Sequence, residues 1–443
     1  MDYAGFLNYK SADNQSASFD LHLSGANIDS GAVVRIDGRD QAKTELKVRL
    51  DNSKWLGLGT DIAQAGHSLD PTYFGYPIYH YDALLTSVTD IECDRKLHIT
   101  VRNPDGQLSN VLQVRVPTAG SLDSDGDGLL DAWELGEVDG LDLTKLGANP
   151  LRKDLYIEVD RMIVQERMWS DFSKNAYPRI EVFADAEELF RQAPILNPDG
   201  SCGVSLHIDY GQEQFEKSGQ GAGMTQIPWT KYIGTKPAED DPEIPAEDFS
   251  NAMDLHKRPD YFATDRRRVF RYCIFADQQW ASRSTGGQAG PVFFMSLGVC
   301  RLNAIDHNYQ LGVFVHEFGH SMGLSHTGNA NSFNSKPNFN SLMNYLFTFP
   351  GRDIDGKLGD ISGDLSGDQI YVYSEGMRAN MREDAVYEAL GVANHYPHDW
   401  NKNGQIDNQP IVKILRLHNA DNNQPHTIQD FPDWANLKFN VDN

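Results

Sequence analysis

This sequence has little positive charge, little cysteine and no long apolar run. Lysine and arginine number 39 against 63 acidic residues, a formal charge of −24 at pH 7. That balance argues against nucleic-acid binding and favours a soluble chain that holds cations. No stretch approaches the roughly 20 apolar residues of a transmembrane helix. Residues 1–5, MDYAG, lack the basic and apolar parts of a signal peptide, so the chain is either cytoplasmic or exported with its signal removed.

The cysteines define no metal site by their spacing. There are four, and none of the intervals between them matches a zinc knuckle. Cys273 and Cys300 lie on neighbouring strand-like segments, whereas Cys93 and Cys202 are isolated. Two alternatives therefore stay open, a single disulfide between Cys273 and Cys300 or four buried free thiols.

The most informative stretch is HEFGHSMGLSH, at residues 316–326. On a helix, His316 and His320 lie one turn apart on the same face. Glu317 stands beside the first of them and can reach a water on a metal without ligating the metal itself. With His326 as a third ligand, three neutral imidazoles leave the fourth tetrahedral position of zinc open, as a catalytic site requires.

The flanking residues agree with this geometry. Apolar side chains recur at helical spacing before the motif, and Asp306 is a plausible N-cap, so we expect a buried helix here. Gly323 can leave that helix in a left-handed turn at no steric cost, which would bring His326 towards the first two histidines.

HExxHxxGxxH is the extended motif of the metzincin clan of zinc peptidases, and residues 316–326 resemble it at every fixed position. Downstream, Met343 in the sequence SLMNY resembles the methionine of the Met-turn that underlies the zinc in this clan. The resemblance implies that Glu317 is the general base. Tyr345 is a candidate fifth ligand or oxyanion stabiliser, with a packed aromatic as the alternative.

The resemblance also implies a fold and an activity. We expect residues 150–443 to form an α+β domain with a twisted mixed sheet over the active-site helix, and a strand between residues 269 and 298 to bind an extended peptide. The expected function is a zinc endopeptidase acting on proteins or peptides, with glycoproteins as a narrower target. The alternative function is a calcium-stabilised surface adhesin or binding protein whose peptidase fold is inactive.

Residues 1–118 predict an all-β domain. Apolar residues alternate along several segments, and Asn103-Pro104-Asp105-Gly106 is strong turn chemistry between the last two. This final hairpin resembles that of IPT/TIG-type immunoglobulin-like domains, which implies a β-sandwich. A spacer and a module that recognises substrate or glycan are both compatible with it.

Residues 119–149 form a linker that contains a calcium-loop pattern, DxDxDGx₅E. An acidic solvated loop is the alternative. Because such loops would be mostly empty at cytosolic calcium levels, we favour a secreted or cell-surface protein. The predicted ligands are Asp123, Asp125, Asp127, the carbonyl of Leu129, Asp131 directly or through a water molecule, and Glu134.

A second segment repeats the first five ligand positions of this pattern. It ends on Pro410 where the glutamate would stand, so another carboxylate would have to complete the shell. Its candidate calcium ligands are Asp399, Asn401, Asn403, Gln405 and Asp407.

The remaining elements of the 150–443 domain are predicted from periodicity. Alternating or apolar runs predict strands at 154–160, 204–208, 269–275 and 292–297, and a helix begins near Pro178. The polar residues 212–265 predict a long surface insertion that is partly helical after about residue 247. Residues 377–390 predict a helix with Gly391 as its C-cap.

Overall fold

The structure, a computed structural model, falls into two compact units. Of the described residues, the first contains those up to Leu155 together with Phe190–His207, and the second contains those of Tyr156–Leu189 and from Ile208 onwards. The residues described are 3–12, 14–26, 28–51, 80–163, 178–234, 244–279, 286–297, 306–328, 335–348, 351, 371–376, 378, 380–392, 397–415 and 424–441.

Two four-stranded antiparallel sheets form most of the first unit. One has the order β1-β2-β6-β5 and the other the order β4-β3-β7-β8. Their strands are β1 Tyr3–Lys10, β2 Ser16–Ala26, β3 Val33–Ile36, β4 Arg39–Asp40, β5 Glu45–Asp51, β6 His80–Glu92, β7 Lys96–Arg102 and β8 Leu112–Arg115.

The alternation along these strands produces a single core. Side chains two residues apart point to the same face of a strand, so Leu21 and Leu23 of β2 and Leu97 and Ile99 of β7 face inwards together. All four are fully buried, and they belong to one hydrophobic cluster that draws on both sheets. The all-β prediction is therefore confirmed for the described residues of 1–118, whereas the immunoglobulin-like identity stays a prediction.

The predicted final hairpin is present. Strands β7 and β8 pair antiparallel, with Leu97 opposite Val114. In the turn, the amide of Gly106 donates to the Asn103 carbonyl at 2.9 Å, and Gly106 has a φ of 89°, a conformation that glycine adopts without steric cost.

Short elements follow the hairpin within the first unit. The calcium-loop pattern leads into helix α1, and a two-stranded antiparallel ribbon leads into α2. Gly147 ends α2 in the left-handed conformation. The bounds are α1 Asp131–Glu134, β9 Glu137–Val138, β10 Leu141–Asp142 and α2 Leu143–Leu146.

A six-stranded mixed sheet of order β12-β11-β16-β19-β18, with β13 also paired to β11, underlies the second unit. Strands β11, β16 and β19 are parallel, and β18 is an antiparallel edge strand beside β19. The bounds are β11 Asp154–Ile163, β12 Ser205–Asp209, β13 Gln226–Pro228, β16 Phe270–Ala276, β18 Gly286–Ala289 and β19 Val292–Ser296.

Two helices accompany this sheet, α3 Ile180–Arg191 and the long helix α6 His307–Ser321. Phe183 of α3 packs edge-on against Phe275 of β16 and Phe314 of α6, with ring centroids 6.0 and 5.5 Å apart. Every residue of β16 is buried, as expected of a parallel strand with both faces covered. The predicted α+β character with a mixed sheet is confirmed.

The predicted surface insertion at 212–265 is mostly exposed or half-buried in its described residues and is partly helical after residue 247, but the prediction missed short strands that pair with other strands. Ile227 of β13 and Ile233 of β14 are buried, so single isoleucines anchor an otherwise polar stretch. Residues 239–243, the most acidic part, lie outside the described residues. The further elements are α4 Glu213–Ser218, β14 Tyr232–Gly234, β15 Phe249–Asn251, α5 Ala252–Lys257 and β17 Gln278–Gln279, with β14 between β15 and β17.

The predicted helix at 377–390 is wrong except at its end, where Glu388–Leu390 form a 3-10 helix with Gly391 as its C-cap. In the described part of this range the chain forms β20 Met381–Arg382, which pairs with β21 Thr427–Ile428. The buried carboxylate of Glu383 accepts the amide hydrogens of Leu415 and His426 at 2.8 and 3.0 Å. These partners lie 32 and 43 residues away, so tertiary contacts outweigh the local helical preference.

Two expectations concern the chain as a whole. None of the helices in the described residues has the length and apolar character needed to cross a membrane. Cys273 carries a free, fully buried thiol, and burial raises its pKa well above the usual value. The alternative of a disulfide to Cys300, which lies outside the described residues, is therefore not realised.

Acid should destabilise the second unit through His256. Burial, with Arg267 and Lys257 nearby, lowers the pKa of His256 to about 4 from 6.5. The neutral form is therefore favoured on folding, so its contribution is complete above pH 6.5 and is lost as the pH falls towards 4, by about 3 kcal/mol at most. Urea unfolding between pH 7.5 and 4.5 should show this loss, and H256F, which keeps the stacking on Phe262, should lose stability less steeply. Parallel pH profiles for the two proteins would contradict the assignment.

Candidate metal centre

Helix α6 is buried on nearly every side. Asp306 caps it, because its Oδ1 accepts the amide hydrogen of Tyr309 at 2.9 Å, as predicted. Phe314 and Phe318 pack on Phe293 of β19, with ring centroids 5.6 and 5.7 Å apart. The helix that carries the motif is thus held rigidly under the sheet.

The helix ends in the predicted left-handed turn. Gly323 has a φ of 86°, and the amide of Leu324 reaches back to the Gly319 carbonyl at 3.0 Å. The C-terminal segment covers this turn, since the amide of Lys438 donates to the Met322 carbonyl at 2.9 Å. Buried Arg271 in turn donates to the carbonyl of Lys438 at 2.8 Å. The turn that directs the chain towards His326 is therefore held by hydrogen bonds to the C-terminal segment, which lies outside the helix.

The three predicted histidine ligands come together. The Nε2 of His326 lies 3.1 Å from that of His316 and 2.7 Å from that of His320. One ligand atom from each of the three lies within 4.8 Å of the others. A zinc ion about 2.0–2.1 Å from each nitrogen would separate tetrahedral ligands by roughly 3.3–3.4 Å, so the rings need to open by less than about 1 Å.

Hydrogen bonds set the tautomers of two of these rings. The Nδ1 atoms of His316 and His320 lie 2.8 and 2.9 Å from the carbonyls of Leu342 and Leu324, so each must carry the hydrogen and donate it. Their Nε2 lone pairs then converge on the same point. Burial lowers the pKa of all three imidazoles, that of His326 to about 4. Converging neutral lone pairs are a donor set that fits a zinc ion.

Glu317 and Tyr345 border the histidines. Glu317 is 6% exposed, and burial raises the pKa of its carboxyl to about 8. The ring of Tyr345 lies 4.1 Å from that of His326 and 5.9 Å from that of His316, yet half of the residue is exposed. Burial, with the Glu317 carboxylate nearby, raises the pKa of Tyr345, so its hydroxyl keeps a hydrogen to donate.

Met343 lies against the helix beneath the histidines. It is fully buried, and a Cβ built on Gly319 would lie 2.5 Å from its Sδ. The same Cβ would lie 3.1 Å from the hydroxyl of Tyr373, which donates to the Val315 carbonyl at 2.6 Å. Gly319 is one of the variable positions of the motif, so its importance comes from this close approach alone.

The loop at 123–134 has the backbone arrangement of a calcium loop. The carboxylate of Asp123 accepts the amide hydrogens of Gly126 and Gly128 at 2.7 and 3.0 Å, and Gly128 has a φ of 90°. Asp123, Asp125 and Asp127 offer oxygens within 4.8 Å of one another. Leu129 closes the loop through its amide, which donates to Asp127 Oδ1 at 2.7 Å.

The acidic side chains here are short of hydrogen-bond donors. Among the described residues, both oxygens of Glu134 and Oδ2 of Asp125 are buried without a hydrogen-bond partner. Burial and mutual repulsion raise the pKa of Asp125 and Asp127 well above the usual value, and that of Glu134 to about 10. Such a cluster favours a bound cation, and its oxygen-only donors suit calcium.

One predicted ligand lies elsewhere and one was missed. The two oxygens of Asp131 accept the amide and the hydroxyl of Ser124 at 2.7 and 2.8 Å, and Asp131 is not in the cluster of converging oxygens. Asp154 is in it, with Asp127 and Glu134. The only signal in the sequence was that Asp154 is an acidic residue at the start of a buried strand. Periodicity predicts the strand but gives no reason to count this residue as a ligand.

The second candidate loop folds in the same way but lacks the last ligand. The carboxylate of Asp399 accepts the amides of Asn403 and Gly404 at 3.1 and 2.6 Å, and that of Asp407 accepts the side-chain amide of Asn401 at 2.7 Å. The amide of Gln405 donates to Asn403 Oδ1 at 2.8 Å. In the described residues, no third acidic or histidine side chain joins Asp399 and Asp407.

Glu388 does not supply the missing carboxylate of this loop. Its oxygens accept the amides of Asn401 and Asp407 at 3.1 and 2.8 Å. The residue is fully buried, so it holds the loop in place. The first loop is therefore the better candidate for a cation.

Comparison of the chain with protein-family models, curated proteins and solved structures found no match. The convergence of His316, His320 and His326 beside Glu317 is therefore the observation from which the function has to be argued.

Proposed function

We propose that this protein is a zinc-dependent endopeptidase of the metzincin type. The observation that carries the proposal is the convergence of three Nε2 atoms, from His316, His320 and His326, beside the buried carboxyl of Glu317. The Met343 side chain under the helix and the left-handed turn at Gly323 support it, because the resemblance implies both features at these positions.

The three imidazoles would hold the zinc ion, and Glu317 would move the protons. Held by these residues, a zinc ion would supply Lewis-acid chemistry to a water molecule and to the scissile carbonyl. Glu317 accepts a proton from the attacking water and returns it to the leaving amine, as a general base turned acid. The residue is 6% exposed, which limits the access of bulk water to its carboxyl.

The substrate would lie along the edge of the mixed sheet. Strand β18 is that edge, and it pairs antiparallel with β19 through residues 286–289. An extended peptide can add to such an edge through main-chain hydrogen bonds. Of the strands between residues 269 and 298, β18 is the one we assign to this role.

The remaining parts of the proposal concern stability and location. The loop at 123–134 would hold a structural calcium ion, and a calcium-rich compartment, outside the cell or at its surface, would keep that site filled. The antiparallel sheets of the first unit would act as a spacer or a docking module. The alternative function is an adhesin with an inactive peptidase fold; a missing histidine or glutamate would favour it, whereas here three histidines converge and Glu317 follows the first of them in sequence.

Zinc analysis and cleavage profiling test the proposal together. The purified protein should contain about one zinc ion per chain and should cut a proteome-derived peptide library, with new termini that define a preferred sequence. E317Q, prepared in parallel, controls for contaminating peptidases. A protein that contains zinc but cuts neither the library nor casein would favour the binding-protein alternative.

Y345F should lower kcat by about 10- to 100-fold with the zinc content unchanged, because it removes a hydrogen-bond donor to the carbonyl oxygen as that oxygen gains charge. The substitution keeps the ring contact with His326. Steady-state kinetics alongside metal analysis measure both quantities. Wild-type kcat in Y345F would leave Tyr345 as a packed aromatic.

A further inference from the structure

A buried cluster joins the calcium loop to the chain at 153–154. The side chains of Asp127, Glu134 and Asp154 offer oxygens within 4.8 Å of one another, and all three residues are at most 2% exposed. The Lys153 side chain enters the same cluster and donates to the carbonyl of Asp125. The neighbouring amide of Asp154 donates to Asp127 Oδ2 at 2.7 Å.

We propose that the 123–134 loop and Lys153–Asp154 form one divalent-cation site, in which Asp154 is a ligand and the ammonium of Lys153 competes with the bound ion. This inference rests on the calcium assignment of the proposed function and deepens it. The proposed ligand set differs from that of the loop pattern in two residues: it includes Asp154 and does not include Asp131.

The orientation of the side chains supports a ligand set that includes Asp154 and omits Asp131. Asp131 is turned towards Ser124, and both of its carboxylate oxygens accept hydrogen bonds from that residue. Asp154 is held by the His207 ring at 2.6 Å from Oδ1 and by the amide of Asn149 at 2.8 Å from Oδ2. Each carboxylate oxygen accepts more than one interaction, so these partners orient Asp154 towards the cluster and leave it able to bind a cation.

The two orphaned oxygens of Glu134 point to the ligand. Both are buried without a hydrogen-bond partner among the described residues, in a residue that is 1% exposed. A carboxylate in this state needs a cation or a proton close by. A divalent ion between Glu134, Asp127 and Asp154 satisfies all three at once, and the all-oxygen set suits calcium better than zinc.

Lys153 is the internal counter-charge of this cluster. It is 3% exposed, and the charges that act on it are those of Asp123, Asp125, Asp127 and Glu134. One ammonium among these carboxylates offsets part of their repulsion when no metal is bound. The same ammonium repels an incoming divalent ion, so it stabilises the metal-free protein and weakens calcium binding.

Isothermal titration with calcium chloride tests the proposal on the full chain. The parent protein for this test is D399N, in which the second candidate loop is disabled, and every other variant is made in that parent. We expect D154N to weaken calcium binding about tenfold or more, because one ligand charge is lost, and D131N to stay within about threefold of the parent. K153M should bind calcium about tenfold more tightly, and its melting temperature in EDTA should fall below that of the parent.

D154N and D131N are matched, because each replaces an aspartate by the amide of the same size. Asp154 is buried and Asp131 is half-buried. Weakening in D131N with parent affinity in D154N would overturn the assignment of Asp154. Unchanged or weaker calcium binding in K153M would overturn the proposal that the Lys153 ammonium competes with the ion. This variant keeps all the proposed ligands. If the parent itself binds no calcium, the calcium assignment fails as well, whereas zinc content and peptide cleavage of the same sample test the peptidase independently.

Discussion

Replacing Glu317 by Gln should lower kcat/KM for peptide hydrolysis by about 10²- to 10⁴-fold while the zinc content stays at the wild-type level. The amide keeps the size of the side chain and its buried position, but it cannot take a proton from the attacking water. Glu317 is adjacent to His316 in sequence and is not one of the three converging ligands. The effect should therefore appear in the chemical step alone.

H326A provides the contrast. It removes the ligand that lies closest to both other Nε2 atoms, at 3.1 and 2.7 Å, so activity and zinc should be lost together. Metal analysis after gel filtration, paired with cleavage of one fluorogenic peptide, separates the two variants. Hydrolysis that persists in E317Q would refute the proposed mechanism. Full zinc occupancy in H326A would refute the proposed ligand set.

Replacing Gly319 by Ala should destabilise the protein and weaken zinc binding, although alanine is the better helix former. Helix propensity favours the change by about 1 kcal/mol, whereas overpacking a close-packed site costs about 1–3 kcal/mol. The new methyl group would lie 2.5 Å from Met343 Sδ and 3.0 Å from the Tyr373 ring. We therefore expect a net loss of up to about 2 kcal/mol in the free energy of unfolding, with zinc affinity reduced because the helix shifts against His316 and His320.

A double-mutant cycle checks the cause. If the clash with Met343 is responsible, G319A and M343A combined should be less destabilising than the sum of the two single changes, by about 1 kcal/mol. G120A serves as the control, since no atom lies within 4 Å of the methyl group added there. Urea unfolding in EDTA and competition with a zinc chelator give the two readouts. Strict additivity, or unchanged zinc affinity in G319A, would contradict the role of this close approach.

The local features of helix α6 were predictable from short-range patterns. The N-cap at Asp306, the buried helix and the positive φ at Gly323 each depend on a few neighbouring residues, and all three are present. The same holds for the turn at Gly106 and for the alternating strands of the first unit. In these places the local preference and the tertiary environment favour the same conformation.

Where distant segments supply the partners, the patterns failed. Residues 377–390 have helical periodicity, but the buried Glu383 carboxylate is held by amides that lie far along the chain. Polar residues 212–265 conceal the buried Ile227 and Ile233. Periodicity reports which face of an element is apolar, and it contains no information about which distant backbone will satisfy a given side chain.

The sequence by itself determined which three histidines could hold a metal, and how those segments fold whose partners lie nearby in the chain. Spacing along a helix sets the relative positions of His316 and His320, and a glycine in the right place permits the turn towards His326. Only the tertiary structure decided that Gly319 has no room for a methyl group, that Asp131 bonds Ser124, and that Asp154 joins the acidic cluster. The reason is physical: ligand geometry and steric clearance depend on atoms brought together across many residues, which a one-dimensional spacing does not specify.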